Sequence, residues 1–255
     1  MRRMLNLGCG GRFHPDWVNV DFRACAPEVM ACDLSRGLPF PDASFDVAYH
    51  SHLLEHFPRA QAGGFLRECL RVLKPGGVLR CAVPDFEAMA RQYLAQLEGA
   101  LAGDEGSRER YQWIMLEMLD QMVRERSGGE MLDYWKQDPM PAQEYVFARV
   151  GAEARQARAA LRAAGKLRPA GAAAPAPARP DPAAIGAFRS SGEVHHWLYD
   201  RHSLAQALLA AGFVQPRPCR ADESAIPGFN AYLLDIEADG GVRKPDSLFM
   251  EAVKP

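Results

Sequence analysis

No run of about 18 apolar residues occurs anywhere in the 255-residue chain, which excludes a helical membrane span. No Cys-x-x-Cys pair occurs among Cys9, Cys25, Cys32, Cys69, Cys81 and Cys219. The common zinc and thioredoxin spacings are therefore missing, and the cysteines read as thiols of a reducing compartment. A surplus of charge is missing too. The formal net charge is −2, so the chain as a whole gives no reason to expect nucleic acid or a membrane surface. Arg2 and Arg3 precede only MLNL before glycine, too short for the apolar part of a signal peptide, and the expected location is the cytoplasm. Internal repeats are also lacking.

Ordered, alternating segments are present. Residues 4–7, 17–22, 29–34, 45–49 and 76–85 read as short apolar strands, several ending in Gly or Asp. Residues 60–73 place Phe65, Leu66, Cys69, Leu70, Val72 and Leu73 at helical spacing, and LKPGG ends that helix, with Gly76 or Gly77 free to take positive φ. Strands alternating with such connections predict a parallel, doubly wound α/β sheet. After residue 190, Leu204, Ala207, Leu208 and Ala211 share a helix face, with Asp200 or Ser203 as cap and Gly212 as stop. A strand at 213–219 follows, and 231–237 with 247–253 read as an antiparallel pair closing the sheet edge.

Between these parts, 86–190 reads as a helical insertion, so that 1–85 and 191–255 form the core. Met89, Tyr93, Leu94, Leu97 and Leu101 make one stripe; Tyr111, Ile114, Met115, Met118, Leu119, Met122 and Val123 make a stronger one, and a third helix lies within 142–164. The methionine-rich stripe suits either a substrate pocket or, more plainly, a helix packed on its neighbours. Residues 166–187 are Ala/Pro-rich without apolar period and read as a flexible or extended linker. Residues 145–189 carry eight Arg or Lys against Glu153 and Asp181, which reads as an anion-attracting segment or as a solvated helix face.

The most informative stretch is LNLGCGG. A dinucleotide turn wants G-x-G-x-x-G, but Phe13 stands at the third glycine and Pro15 lies in the short window before Trp17. A pyrophosphate needs a helix N-terminus, and here at most one or two turns fit, which disfavours NAD and FAD. A nucleoside without phosphate asks less. Gly8 and Gly10 allow close backbone approach, Asp21 ends the second strand where ribose hydroxyls would lie, and Asp33 ends the third near a base edge. The plain alternative for either aspartate is a helix cap or turn.

LNLGCG, VNVD, CDL, LPFPDASFDVAYHSHLLEHF and LRVLKPGG, in that order, resemble the class I S-adenosylmethionine-dependent methyltransferase family, and the latter two are similar to its small-molecule branch. HHWLYDRHSL…AAGF and RKPDSLFMEAVKP resemble bacterial members met beside sugar-transferring enzymes. The resemblance covers 4–85 and 193–254. It implies a Rossmann-like, mostly parallel seven-stranded sheet with an antiparallel C-terminal strand pair and a helical insertion. It implies S-adenosyl-L-methionine as cofactor, with Gly8, Cys9 and Gly10 under its methionine and ribose portions. Asp21 would meet the ribose, Asp33 and the Leu34 backbone the adenine, and His50 and Ser51 the methionine end. The family often has an acid where Asn6 stands and a glycine where Arg12 stands. Because the helix after the turn is clipped, another part of this chain or a partner subunit, as in a homodimer, would shield that side.

Methyl transfer from a sulfonium is mainly a positioning task, but a hydroxyl acceptor also needs a base. HSHLLEHF offers His52, Glu55 and His56, with His52 and His56 four apart on one face if helical, and the plain alternative is packing. That spacing lacks the Glu of H-E-x-x-H and an evident third ligand, so no metal is expected. His195 and His196, in HHWLYD beside Trp197 and Tyr199, suit either a sugar-facing site or a packed aromatic anchor, and Asp85 would face the crevice. The DPPY or NPPY of amino-directed DNA methyltransferases is absent at the fourth strand. The expected activity is methyl transfer to a small acceptor, a hydroxyl of a sugar or glycan precursor, without nucleic acid as partner. The alternatives are a catalytically silent binding module in a glycan-assembly complex and an RNA- or lipid-directed methyltransferase using the basic segment.

Overall fold

Strands β1 (Met4–Leu7), β2 (Trp17–Asp21), β3 (Val29–Ala31) and β4 (Phe45–Ser51), helix α1 (Arg59–Val72) and β5 (Leu73–Pro84) open the chain in the computed structural model, which describes residues 2–171 and 181–255. Then come α2 (Phe86–Leu101), α3 (Glu105–Val123), α4 (Gly129–Trp135), β6 (Gln137–Asp138), α5 (Gln143–Val150), α6 (Ala152–Ala163), β7 (Arg168–Pro169) and α7 (Pro182–Arg189). Helix α8 (Arg201–Ala211), β8 (Val214–Cys219) and β9 (Ser247–Val253) complete the order. Two compact units result. The first holds residues through Asp85, His196–Val242 and Ser247–Pro255; the second holds Phe86–His195 and Arg243–Asp246.

The first unit contains the expected Rossmann-like α/β sheet of seven strands, in the order β3-β2-β1-β4-β5-β9-β8. β1 to β5 run parallel, and β9 pairs antiparallel with both β5 and β8. The strand alternation sorts the side chains onto two faces. Leu5, Leu7, Val20, Ala48, Leu79, Cys81, Val83 and Met250 face α1 and α8 in one buried apolar cluster. Phe65, Leu66 and Cys69 of α1, and Leu204 and Leu208 of α8, complete that cluster. Both expected caps of α8 act together: Asp200 and Ser203 form a capping box, and Gly212 ends the helix at φ 104°.

The other face corrects one expectation. Residues 231–237 form no strand; they carry only an isolated bridge between Ile236 and Val242. The antiparallel partner of β9 is β8 instead. The 226–237 segment lies across the sheet face, where Ile226, Phe229 and Leu234 pack on Met4, Trp17, Val47 and Tyr49. The physical reason is Arg80, buried in the middle of β5. Its guanidinium reaches Asp235 at 2.7 Å and Glu251 at 2.9 Å and lies 4.6 Å from the Phe229 ring centre. Tyr49 also donates to Asp235, at 2.6 Å. A strand at the sheet edge could not deliver Asp235 to that cation.

In the second unit, Trp113, Met131, Tyr134, Trp135, Met140, Val146, Val150 and Ala154 form a separate core. The third helix expected within 142–164 is two helices, α5 and α6, parted at Gly151, where a Cβ would come within 2.5 Å of the Arg243 carbonyl and Pro245. The apolar stripe of α3 is only partly the buried face: Ile114 is buried and Tyr111, Met115, Met118 and Met122 are half-buried, but Leu119 and Val123 are exposed, while Trp113, Glu117 and Asp120 outside the stripe are buried. Met115, Leu116, Leu119 and Val123 line an open surface cavity. The basic run is divided: Arg155, Arg162 and Lys166 are exposed, Arg179 lies outside the described residues, and the other four side chains are engaged. Arg149 pairs with Glu117, Arg158 with Asp138 at 2.7 Å, and Arg168 and Arg189 donate to the Asp133 and Met122 carbonyls. Of the expected linker 166–187, residues 172–180 lie outside the described residues, and its flanks are β7 and α7. Among the described residues, no helix is long and apolar enough to cross a membrane.

Candidate active site

The carboxyl ends of β1, β2, β3, β4 and β5 converge on one edge of the first unit, the usual ligand crevice of such a sheet. The glycine turn leaves β1 there. Gly8 and Cys9 donate to the Val20 carbonyl at 2.8 and 3.2 Å, which binds the turn to β2. Gly8 and Gly10 hold φ of 63° and 51°, a region costly for residues with a Cβ. The two glycines differ in what surrounds them. A Cβ on Gly8 would come within 2.8 Å of the Leu53 side chain, whereas one on Gly10 would meet nothing within 4 Å. Gly8 is thus small for packing, and Gly10 presents an open backbone edge.

Asp21 ends β2 beside that edge. Its Oδ2 accepts from the Gly10 N–H at 2.8 Å and Oδ1 accepts from Arg23 at 3.3 Å, which leaves further lone pairs for a ligand. Cys9 is buried, and desolvation, with Asp21 and Cys25 nearby, pushes its thiol up to about 12. Asp33 takes the capping role: Oδ1 accepts from the Ser35 hydroxyl and N–H at 2.6 and 3.1 Å, which holds its carboxyl below the usual range. It thereby begins the single turn Leu34–Arg36, with Leu34 buried beneath.

No helix follows the turn; residues 8–16 are loop. Asn6 and Arg12 explain how the loop is held. The Asn6 amide donates to Asn19 Oδ1 and to the Arg12 carbonyl, both at 3.1 Å, and Arg12 donates to the Leu233 and Ile236 carbonyls and pairs with Glu237 at 3.2 Å. This chain's own 233–237 segment therefore supports the side that the clipped helix leaves bare. These residues fit the nucleoside half of S-adenosylmethionine. The Asn6 and Arg12 side chains, engaged within the protein, are not placed to grip its amino-acid half.

The β4 end supplies the titratable groups. His50 is fully buried with its ring edge on Phe65, and neither ring nitrogen has a hydrogen-bond partner, so burial pushes the imidazole down to about 3. Ser51 is half-buried at the strand end. His52 does not share a helix face with His56: it sits at φ 51°, and only Leu54–His56 make a single turn. A non-glycine residue in this region is strained, and such residues concentrate at functional sites. His52 Nδ1 lies 3.5 Å from Oε1 of the fully buried Glu55, and Nε2 lies 2.7 Å from Ser247 Oγ. Ser247 opens β9 opposite Pro84, so the antiparallel strand brings its first residue to the crevice end. Sequence reasoning missed Ser247, because nothing within β9 signals its contact with a residue 195 positions earlier.

His56 follows on the same short turn, and the backbone N–H groups of His196 and Trp197 donate to the Glu55 carbonyl at 2.7 and 3.3 Å, anchoring that turn from beyond the insertion. Trp197 lies under Arg59, 4.7 Å from its ring centre. Asp85 bridges to Tyr199. His195 is buried in the second unit, where its N–H donates to the Gln121 carbonyl.

Residues 18–81 match the family model described as a methyltransferase domain. The chain is similar to a "probable S-adenosylmethionine-dependent methyltransferase" of Mycolicibacterium smegmatis, 34% identical over 105 residues, which are 33% of this chain and 38% of that protein. It is likewise similar to one of Mycobacterium tuberculosis, 32% identical over 102 residues, 33% of this chain and 36% of the relative. The match spans well under half of either curated relative. Among solved structures, a SAM-dependent methyltransferase from Archaeoglobus fulgidus aligns over 99% of this chain and 86% of its own, at 13% identity and a TM-score of 0.43. The strand order of the sheet, with the match over residues 18–81, makes the α/β core similar to a methyltransferase domain.

Proposed function

We propose that this chain binds S-adenosylmethionine at the carboxyl edge of its sheet and transfers the methyl group to a hydroxyl of a small acceptor, a sugar or glycan precursor. The observation that carries the reading is the Gly10 edge, open to a ligand and tied at 2.8 Å to the Asp21 carboxylate. Gly8, Gly10 and Asp21 would hold the ribose side, and Asp33 with the Leu34 backbone the base. Ser51, with Leu53 seated on Gly8, would border the methionine end. The cofactor supplies an electrophilic methyl on a sulfonium. The chain's residues position the acceptor and accept its proton, and His52 with Glu55 is the group at this edge equipped for that. His56 and His196 belong to its surroundings.

The glycan part of the reading is supported by the family resemblance of HHWLYD and the tail; Trp197 serves as a packed anchor, with Arg59 over its ring. The silent-module alternative is separated by calorimetry with S-adenosylmethionine and methyl transfer to glycan extracts: binding without transfer favours it. The RNA- or lipid-directed alternative is left with fewer cations, because Arg149, Arg158, Arg168 and Arg189 are engaged within their own unit while Arg155, Arg162 and Lys166 are exposed. The test of the central reading is Asp21→Ala. It should weaken cofactor binding by about 10- to 100-fold, the loss of one or two charge-assisted hydrogen bonds; unchanged affinity would overturn the assignment.

A further inference from the structure

The contact between Ser247 and His52 gives the proposed site a direction. Glu55 is fully buried, and the His52 side chain is 12% exposed, so the three groups interact in a medium poorer in water than the surface. A carboxylate only accepts hydrogen bonds. Oε1 of Glu55, 3.5 Å from Nδ1, is an electrostatic neighbour rather than a hydrogen-bond partner, and an ionised carboxylate there favours the proton on Nδ1, which leaves the lone pair of a neutral ring on Nε2. Ser247 Oγ, 2.7 Å from Nε2, is then the donor, and its own lone pairs are turned to whatever lies beyond it. This is the order carboxylate, imidazole, hydroxyl, held by the strained backbone of His52 on one side and by the β5–β9 pairing on the other.

We propose that Ser247 Oγ receives the acceptor's proton, so that the acceptor is a hydroxyl compound rather than a carboxylate or thiolate already deprotonated in solution. This rests on the methyltransferase reading and sharpens its substrate class. The acceptor O–H bond breaks and its proton goes to Ser247 Oγ. The proton already on Oγ goes to His52 Nε2. The acceptor oxygen keeps the electron pair with which it attacks. The positive charge appears on the His52 ring and is offset by Glu55, an interaction much stronger at low local dielectric than in water. A carboxylate or thiolate acceptor needs no such path, and a buried imidazole–carboxylate pair would then serve no step.

The test uses the full chain with nitrogen-labelled histidine, the His52 signals being assigned through His52→Gln. Without cofactor, the imidazole nitrogen shifts should report the Nδ1–H tautomer of His52. Ser247→Ala should move the Nε2 shift, and Ser247→Thr should restore it. An Nε2–H tautomer in the wild type overturns the relay whatever the activity. With cofactor and a panel of small hydroxyl acceptors, Ser247→Ala should lower kcat by about 100-fold, within the range of general-base contributions, with cofactor affinity unchanged, and Ser247→Thr should recover most of it. A Ser247→Ala enzyme as fast as wild type also overturns the relay. Failure of the wild type to bind S-adenosylmethionine is the separate result that would overturn the underlying function.

Discussion

The two faces of the seven-stranded sheet solve burial in opposite ways. Toward α1 and α8 the sheet presents Leu5, Leu7, Val20, Leu79 and Val83, and the contact is apolar except for the buried ring of His50 on Phe65. Toward the 226–237 segment it presents Asn6, Asn19, Arg80 and Glu251, all buried. The first face is non-directional, so any helix with a suitable stripe would cover it. The second adds, to the apolar cluster of Met4, Trp17 and Val47, polar groups that each require one partner in one place. Asn6 and Asn19 are register partners on β1 and β2 and also meet through their side chains, while Arg80 gathers Asp235 and Glu251. The difference teaches where the glycine turn gets its rigidity. A loop, not a helix, follows the glycines, and it is held by hydrogen bonds that arise from the polar face.

Arg80→Leu is the strongest way to break this contrast. It leaves Asp235 and Glu251 buried without their cation, and chemical denaturation should show a loss of about 3–5 kcal/mol, the usual result of removing one partner of a buried pair. A loss below about 1 kcal/mol would mean that the polar face is held by packing after all. Asn6→Asp comes next. It restores the acid common in the family, but it turns a donor into an acceptor facing two acceptors, the Asn19 oxygen and the Arg12 carbonyl. About 2 kcal/mol of stability should be lost, with weaker S-adenosylmethionine binding because the loop loosens. Retained stability would show that the family's acid is tolerated here.

His50→Leu probes the apolar face and should have the smallest effect. Burial pushes His50 down to about 3, while an unfolded histidine titrates near 6.5. Between these values the unfolded chain binds a proton that the native chain does not. The neutral ring therefore contributes fully above about pH 6.5, and that stability is lost as the pH falls toward 3. The leucine variant should match wild type within about 1 kcal/mol at pH 7.5 and gain roughly 1 kcal/mol relative to it at pH 5.5. Melting curves at the two pH values that differ by the same amount would refute this.

Legibility followed the same division. The helix-covered face was readable, because period-2 and period-3.6 apolar patterns are local: α1 begins and ends within a residue or so of expectation, and the Asp200–Gly212 caps act as expected. The polar face was not. Asn6 and Arg12 stood out only as departures from a family pattern, and their partners lie at Asn19, Leu233, Ile236 and Glu237. The 231–237 run, apolar and alternating, reads as a strand until Asp235 is seen to answer Arg80. In the helical unit, the α3 stripe misled for a related reason: Glu117 and Asp120 are buried there through Arg149 and Arg124, while Leu119 and Val123 face outward.

The sequence by itself determined the α/β class, the glycine turn, the acids at the ends of β2 and β3, and the titratable cluster after β4. All of these depend on residues close together in the chain. Only the tertiary structure decided which of them meet a partner. It enclosed His50, gave Asp33 a capping role, left Asp21 facing the open edge of Gly10, and brought Ser247 to His52. Hydrogen bonds and ion pairs are short-ranged and directional, so their partners become visible only after the sheet has set strands from distant parts of the chain side by side.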